Sequence, residues 1–384
     1  MYTVNREEEK NIRGVNTILS VDIDDDDSNN EAPDHDFSAH FDPEKINIIV
    51  KQPTVYNLIQ RMNSTPSEID MNTSFQRHSG LWNKTDQSRL IESLLLRIPL
   101  PTFYFDGSDD NKWLIVDGLQ RLSTFKAFMV DKELRLTDLE YFTEFNGLKF
   151  DELPKNMIRR IEETQIIANI IQPGTPDEVK FNIFKRINTG GFNLNSQEIR
   201  HAIFHGQASD FIENLADSDA FKQFHISNKR MLDQELVTRF VAFYILKSEN
   251  YRPRMDDFLE VAMQRLRGMS VVKLHMISSS FEKAMKRAFI LFGIRAFKRQ
   301  KLGEKIQGGS KINKAMFEIW SVELSHLGDS EFEILIKNKS FKEKYNRLLD
   351  DEKFIESVSQ GTGHRENVQF RFATIEKLIQ ECLI

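Results

Sequence analysis

The sequence predicts an α+β protein, a small mixed domain followed by a mostly α-helical one. Three observations predict it. Short strand-like runs and turn formers are confined to roughly residues 41–172. Over residues 173–384 apolar side chains mostly recur at helical spacing. The first 40 residues show neither pattern and are acidic, which predicts a disordered tail ahead of both domains.

Order is expected to begin near Phe41. Val55-Tyr56-Asn57-Leu58-Ile59 reads as a short helix just after Pro53, and Ile69 to Gln76 as an extended stretch. A clearer helix follows, with Thr85 as its expected N-cap and Leu90, Ile91, Leu94, Leu95 and Ile98 on one stripe. Pro99 and Pro101 stop it, because proline lacks an N–H and clashes with the preceding turn. Thr102 to Phe105 and Trp113 to Val116 flank a run of turn formers, the pattern of a β-hairpin. The second strand ends at Asp117-Gly118, and a helix is expected from there to about Phe128.

Thr164 to Gln172 reads as a further strand, closed by Pro173-Gly174. Thr175-Pro176-Asp177-Glu178 is a capping-box start, and its helix carries Val179, Ile183, Phe184 and Ile187 up to Asn188-Thr189-Gly190-Gly191. Asn195 with Glu198 starts another helix, which stops near Gly206. Amphipathic helices are expected over Gln234–Lys247, Met255–Leu266 and Phe281–Lys298.

Composition narrows the setting. Hydrophobic residues make up 40%, and 30 phenylalanines predict an aromatic-rich core. Cys382 is the one cysteine, so no disulfide forms within the chain and a reducing, cytoplasmic setting is expected. The polar Met1 to Lys10 segment is no secretory signal, and no apolar run nears the roughly 20 residues a membrane helix needs. Residues 1–36 hold eleven acidic and three basic groups, or −8, which leaves +2 for the rest of a chain with net charge −6.

A strand, a tight Asp-Gly turn and a helix form one recurring solution for binding phosphate. The first helical N–H groups lack intrahelical partners and the macrodipole adds positive potential there. Gly118 permits close approach of an anion, Arg121 is placed to grip phosphate oxygens, and Gln120, Ser123 and Thr124 add neutral donors. Asp117 is positioned to hold a divalent cation such as Mg2+ or to orient a water. Arg77, brought near Arg121, would complete a two-arginine clamp; the alternative is a surface arginine stacked on Trp82. Asn188, Gly190 and Gly191 form a loop that either presents backbone N–H groups to a ligand or serves as a hinge between helices.

With these pieces on the page, FQRHSGLWN, SRLIESLLLRIPLPTFYF, IVDGLQRLSTFKAF and FKRINTGGFNLNSQEIRHAIFHG together resemble the N-terminal domain of GmrSD-type, modification-dependent restriction enzymes. The resemblance implies a ParB/sulfiredoxin-like fold, a DGQQR motif, and binding and hydrolysis of a nucleoside triphosphate (NTP) in DNA defence. It assigns catalytic roles to Asp117, Gly118, Gln120 and Arg121, with Arg77 in support. The motif's first glutamine is Leu119 here, which implies weakened turnover with binding kept. The downstream histidines His225, His275, His326 and His364 are isolated, so no HNH-type nuclease is expected and cleavage would fall to a separate subunit.

His201 and His205 share helical spacing but lack a matching carboxylate, so no metal site is expected of them. Ten basic and two acidic residues lie in the stretch from Glu282 to Lys314. Lys286, Arg287, Arg295, Lys298 and Arg299 would give that helix a basic outer face for DNA backbone, or simply a solvated one.

Overall fold

The computed structural model describes residues 46–71, 82–109, 111–187, 194–305 and 311–384. Contacts divide the chain between Ile203 and Phe204 into two compact units. The first is α+β, the second all helical. The mixed unit thus continues beyond residue 172, where the sequence changes to helical spacing, because the helix starting at Asp177 is fastened to the sheet, as described below.

In the mixed unit β1 (Ile48–Lys51) precedes α1 (Val55–Asn63), whose N-cap is Thr54, its hydroxyl accepting from Asn57 N–H. β2 is only Ile69–Asp70; Met71 has already left the strand, and the rest of the stretch expected to be extended, residues 72–76, lies outside the described residues. α2 (Lys84–Leu95) is capped by Asn83, not Thr85. Thr85 lies inside the first turn and donates its hydroxyl to Asp138 instead. The stripe Leu90, Ile91, Leu94 and Leu95 is buried as expected, whereas Ile98 lies past the helix end and is exposed.

β3 (Phe103–Asp109) and β4 (Lys112–Asp117) form the hairpin read from the sequence. α3 (Leu119–Phe125) follows after a single residue, Gly118, and continues as a π-turn over Lys126–Val130. α4 (Lys155–Glu162), β5 (Ala168–Ile171), α5 (Asp177–Ile187) and α6 (Ser196–Ile203) complete the unit. α6 starts with the expected capping box: Asn195 and Glu198 each donate a backbone N–H to the other's side chain, at 2.7 and 2.8 Å.

The five-stranded sheet has the order β1-β5-β3-β4-β2. β1 and β5 pair antiparallel, as do β3 and β4, while β5 with β3 and β2 with β4 run parallel. Phe103, Phe105 and Ile115 from the central strands join Leu90, Ile91 and Leu94 of α2 and Leu122 and Phe125 of α3 in one core. Phe103, Phe105 and Phe125 stand within 6.5 Å of their neighbours. A buried Lys180 ammonium in α5 bridges Asp106 at 3.1 Å and Ser108 at 2.5 Å, fastening α5 to β3. That contact moves the buried stripe of α5 to Val179, Lys180, Phe181 and Phe184.

The helical unit comprises α7 (Gln207–Ala216), α8 (Asp219–Lys222), α9 (Leu232–Leu246), α10 (Met255–Arg267), α11 (Val271–Phe292), α12 (Lys314–His326), α13 (Asp329–Lys337), α14 (Phe341–Leu348), α15 (Glu352–Ser357) and α16 (Arg365–Leu383). Its core is aromatic, as the phenylalanine content predicts. Phe240 meets Phe281 at 5.0 Å, and Phe292 meets Trp320 at 4.7 Å. Through the same core runs a buried ionic chain. Lys314 pairs with Glu235, Glu235 with Arg239, Arg239 with Glu318, and Glu318 with Arg371. Glu318 and Arg371 are wholly shielded from solvent, and the chain ties α9, α12 and α16 together.

Candidate functional site

The sharp corner between β4 and α3 exists because Gly118 adopts φ +108°, a left-handed conformation glycine takes without strain. The packing demands glycine as well. A Cβ at this position would lie 2.4 Å from the Phe103 ring. The space beside Gly118 is therefore filled by an aromatic side chain of β3, where the sequence reading expected an approaching anion.

Arg121 is likewise turned inward. It is 7% exposed, and its guanidinium lies over the Phe103 ring, 4.2 Å from the centroid. Nη1 donates to the Pro101 carbonyl, and Nη2 donates to the Thr102 carbonyl at 3.3 Å and to Asp117 Oδ2 at 2.8 Å. These contacts bind the start of β3, the end of β4 and the first turn of α3 into one corner. The arginine expected to grip phosphate is thus engaged inside the domain, because the planar fork of donors matches two carbonyls and a carboxylate at once.

Asp117 is the more open partner, its side chain 36% exposed. Burial pushes its carboxyl above the ordinary range, and the attraction of Arg121 and the Gly118 N–H offset this in part. Gln120 is half-buried, and its Oε1 accepts from Trp82 N–H at 3.1 Å. The end of the Gln76–Trp82 stretch therefore does reach the corner, while Arg77 lies outside the described residues. Ser123 is half-buried. Thr124 is fully buried and its hydroxyl donates to the Gln120 carbonyl, which removes it from the face a ligand could meet. Leu119 is 9% exposed and belongs to the core. The accessible chemistry of the corner is accordingly a carboxylate, an amide and a hydroxyl: Asp117, Gln120 and Ser123.

Asn188, Gly190 and Gly191 also lie outside the described residues. The basic stretch differs from its expected form. α11 ends at Phe292, so Arg295, Lys298 and Arg299 follow the helix. Arg287 faces inward: it donates to the Leu324 and Leu327 carbonyls at 2.9 and 2.7 Å, pairs with Asp329 at 2.6 Å and lies over Phe332. Arg295 donates to the Glu304 carbonyl, and burial lowers the proton affinity of Lys298. Lys286 and Arg299 are exposed, the former 3.6 Å from Glu282. A continuous basic outer face does not form, because helical spacing turns Arg287 to the same side as Ala284 and Ala288. Among the described residues no group of three or more His, Cys, Asp or Glu is arranged to hold a metal, and no helix is long and apolar enough to cross a membrane.

Comparison with known proteins adds one finding. Residues 55–205 match the family model described as GmrSD restriction endonuclease, N-terminal domain. The match covers the sheet from β2 to β5, the β4–α3 corner, and α5 and α6. No curated protein matches the chain.

Proposed function

Residues 55–205 form a domain of the GmrSD restriction endonuclease N-terminal family, and from this premise we propose that the chain serves a restriction-like DNA-defence system in which that domain binds an NTP with Mg2+ at the β4–α3 corner. The observation that carries the proposal is the partly exposed Asp117 carboxylate, fixed by Arg121 inside the matched segment. Asp117 would meet the nucleotide through Mg2+, with Gln120 and Ser123 as neutral donors. Arg121 acts as a positioning residue: it aims Asp117 and shapes the corner. In turnover, a water would attack the terminal phosphorus, its proton passing to solvent, with inorganic phosphate and the diphosphate released; Asp117 would hold the Mg2+ that neutralises the phosphates.

A second reading, nucleotide binding without turnover, is favoured by Leu119. Its side chain is apolar and belongs to the core, so it offers no amide at the place where the family's motif has glutamine.

Fluorescent NTPs titrated into the full chain with Mg2+ or with EDTA, alongside phosphate release, test both. Mg2+-dependent binding that falls roughly tenfold or more in Asp117→Asn supports the site. Phosphate release above a buffer control then separates turnover from binding alone. Equal binding by the wild type and Asp117→Asn, or no binding of any NTP, removes the site.

A further inference from the structure

In the helical unit the C-terminal end of α12, the middle of α16 and the turn after α9 enclose a cleft of about 630 Å3. That size falls among small-molecule sites. Its floor is apolar: Phe243, Val322, Phe372 and Ile379 line it and are buried. The Phe243 and Phe372 rings are in contact, 4.9 Å between centroids.

Carboxylates reach the cleft from separate segments. Glu249 stands in the turn after α9, Glu323 on α12 and Glu376 on α16. None of these three side chains has a hydrogen bond or ion pair among the described residues. Glu331 also lines the cleft, but it accepts the Gly328 N–H. Lys247 is the one ammonium among the described lining residues. Burial, with repulsion from Glu376 and Glu249, pushes the Glu323 carboxyl up to about 7.

The placement of these charges on three separate segments bears on the ligand. Among the described residues no three carboxylates or histidines gather as a metal ion requires. Anions spread over an apolar floor match a cation whose charges are spread along an apolar stem. We propose that the cleft binds a linear aliphatic polyamine, its methylenes on the Phe243–Phe372 floor and its ammonium groups on Glu249, Glu323 and Glu376. The proposal concerns the helical unit alone and does not depend on the nucleotide reading.

Calorimetric titration of the full chain at pH 8 with spermidine tests it, with 1,8-octanediol as the uncharged stem and MgCl2 as the compact cation. Spermidine is expected to bind in a one-to-one ratio, the diol not at all, and Mg2+ not to displace spermidine at matched ionic strength. Glu323→Gln combined with Glu376→Gln is expected to weaken binding roughly tenfold or more. In the wild type, affinity is expected to fall as pH drops through about 7, where Glu323 takes up its proton.

The groups facing Glu323 are Glu376 from α16, Glu249 and Lys247 from the turn, Glu331 from α13 and His326 on its own helix, with Lys283 of α11 close to His326. Burial and the two lysines hold His326 below its ordinary range, whereas burial and two neighbouring carboxylates push Glu323 up to about 7. The double variant removes repulsion and is expected to fold, and the pH series needs no variant. No binding at pH 8, undiminished binding by the double variant, or displacement by Mg2+ at matched ionic strength overturns the proposal.

Discussion

Gly118→Ala isolates what holds the β4–α3 corner. Two penalties act together. Alanine at φ +108° is strained by roughly 1 kcal/mol. Its methyl would lie 2.4 and 2.9 Å from two carbons of the Phe103 ring, which is itself enclosed by Phe105, Phe125 and the Arg121 guanidinium. Forcing an extra carbon into such a core costs roughly 1–3 kcal/mol. The sum is about 2–4 kcal/mol. Because the chain has two units whose unfolding need not coincide, the assay is hydrogen exchange resolved by peptide rather than a single global transition. Peptides spanning residues 112–125 are expected to lose roughly thirtyfold or more in protection. Phe103→Leu supplies the control: with the ring removed, Gly118→Ala is expected to cost only its backbone share, roughly 1 kcal/mol. A cost below about 0.5 kcal/mol in the wild-type background, or no relief from Phe103→Leu, refutes the packing argument.

Arg121→Lys keeps the charge but offers one nitrogen to two carbonyls and a carboxylate. A loss of roughly 1–3 kcal/mol is expected, the lower part of the range reflecting the exposure of Asp117. Hydrogen exchange equal to wild type in peptides of β3, β4 and α3 contradicts it. Glu323 has a folded pKa of about 7 against an ordinary 4.5. The folded chain therefore holds that proton more tightly than the unfolded one, and stability falls as pH rises from about 5 to 8, by at most about 3 kcal/mol. Glu323→Gln should raise hydrogen-exchange protection in α12 and α16 at pH 8 and flatten this slope; protection lowered at pH 8 counts against it. Glu318→Gln leaves two buried guanidinium groups without their shared anion and is expected to destabilise the helical unit by roughly 3–5 kcal/mol. Hydrogen exchange in α9, α12 and α16 that matches wild type rules this out.

Much of the fold is legible in the sequence wherever a local rule acts. The hairpin, the stop at Pro99, the Asn195–Glu198 capping box and the main C-terminal helices follow from turn formers, proline and helical spacing. Misreadings arise where a distant partner overrides the local signal. Thr85 is a suitable cap residue, but Asn83 takes the position and Asp138 takes the Thr85 hydroxyl. Arg121 and Arg287 look alike in sequence to solvent-facing arginines, yet each finds backbone carbonyls and an acid inside its unit. The Asp-Gly corner itself was readable; that Phe103, fifteen residues earlier, occupies the space beside Gly118 was not. The glutamate cleft gave no warning at all, since its three unpaired acids come from segments far apart along the chain.

The ionic chain through the helical unit bears on how this protein can change over time. A buried leucine can drift to isoleucine or methionine one step at a time. Glu318 cannot, since losing it strands Arg371 and leaves Arg239 with Glu235 alone, and losing either arginine leaves the buried acid only half satisfied. Relatives of this chain should keep Glu235, Arg239, Glu318 and Arg371 as a set or replace them with apolar residues as a set. Sequences retaining half of it should be rare or should carry a new counter-charge nearby.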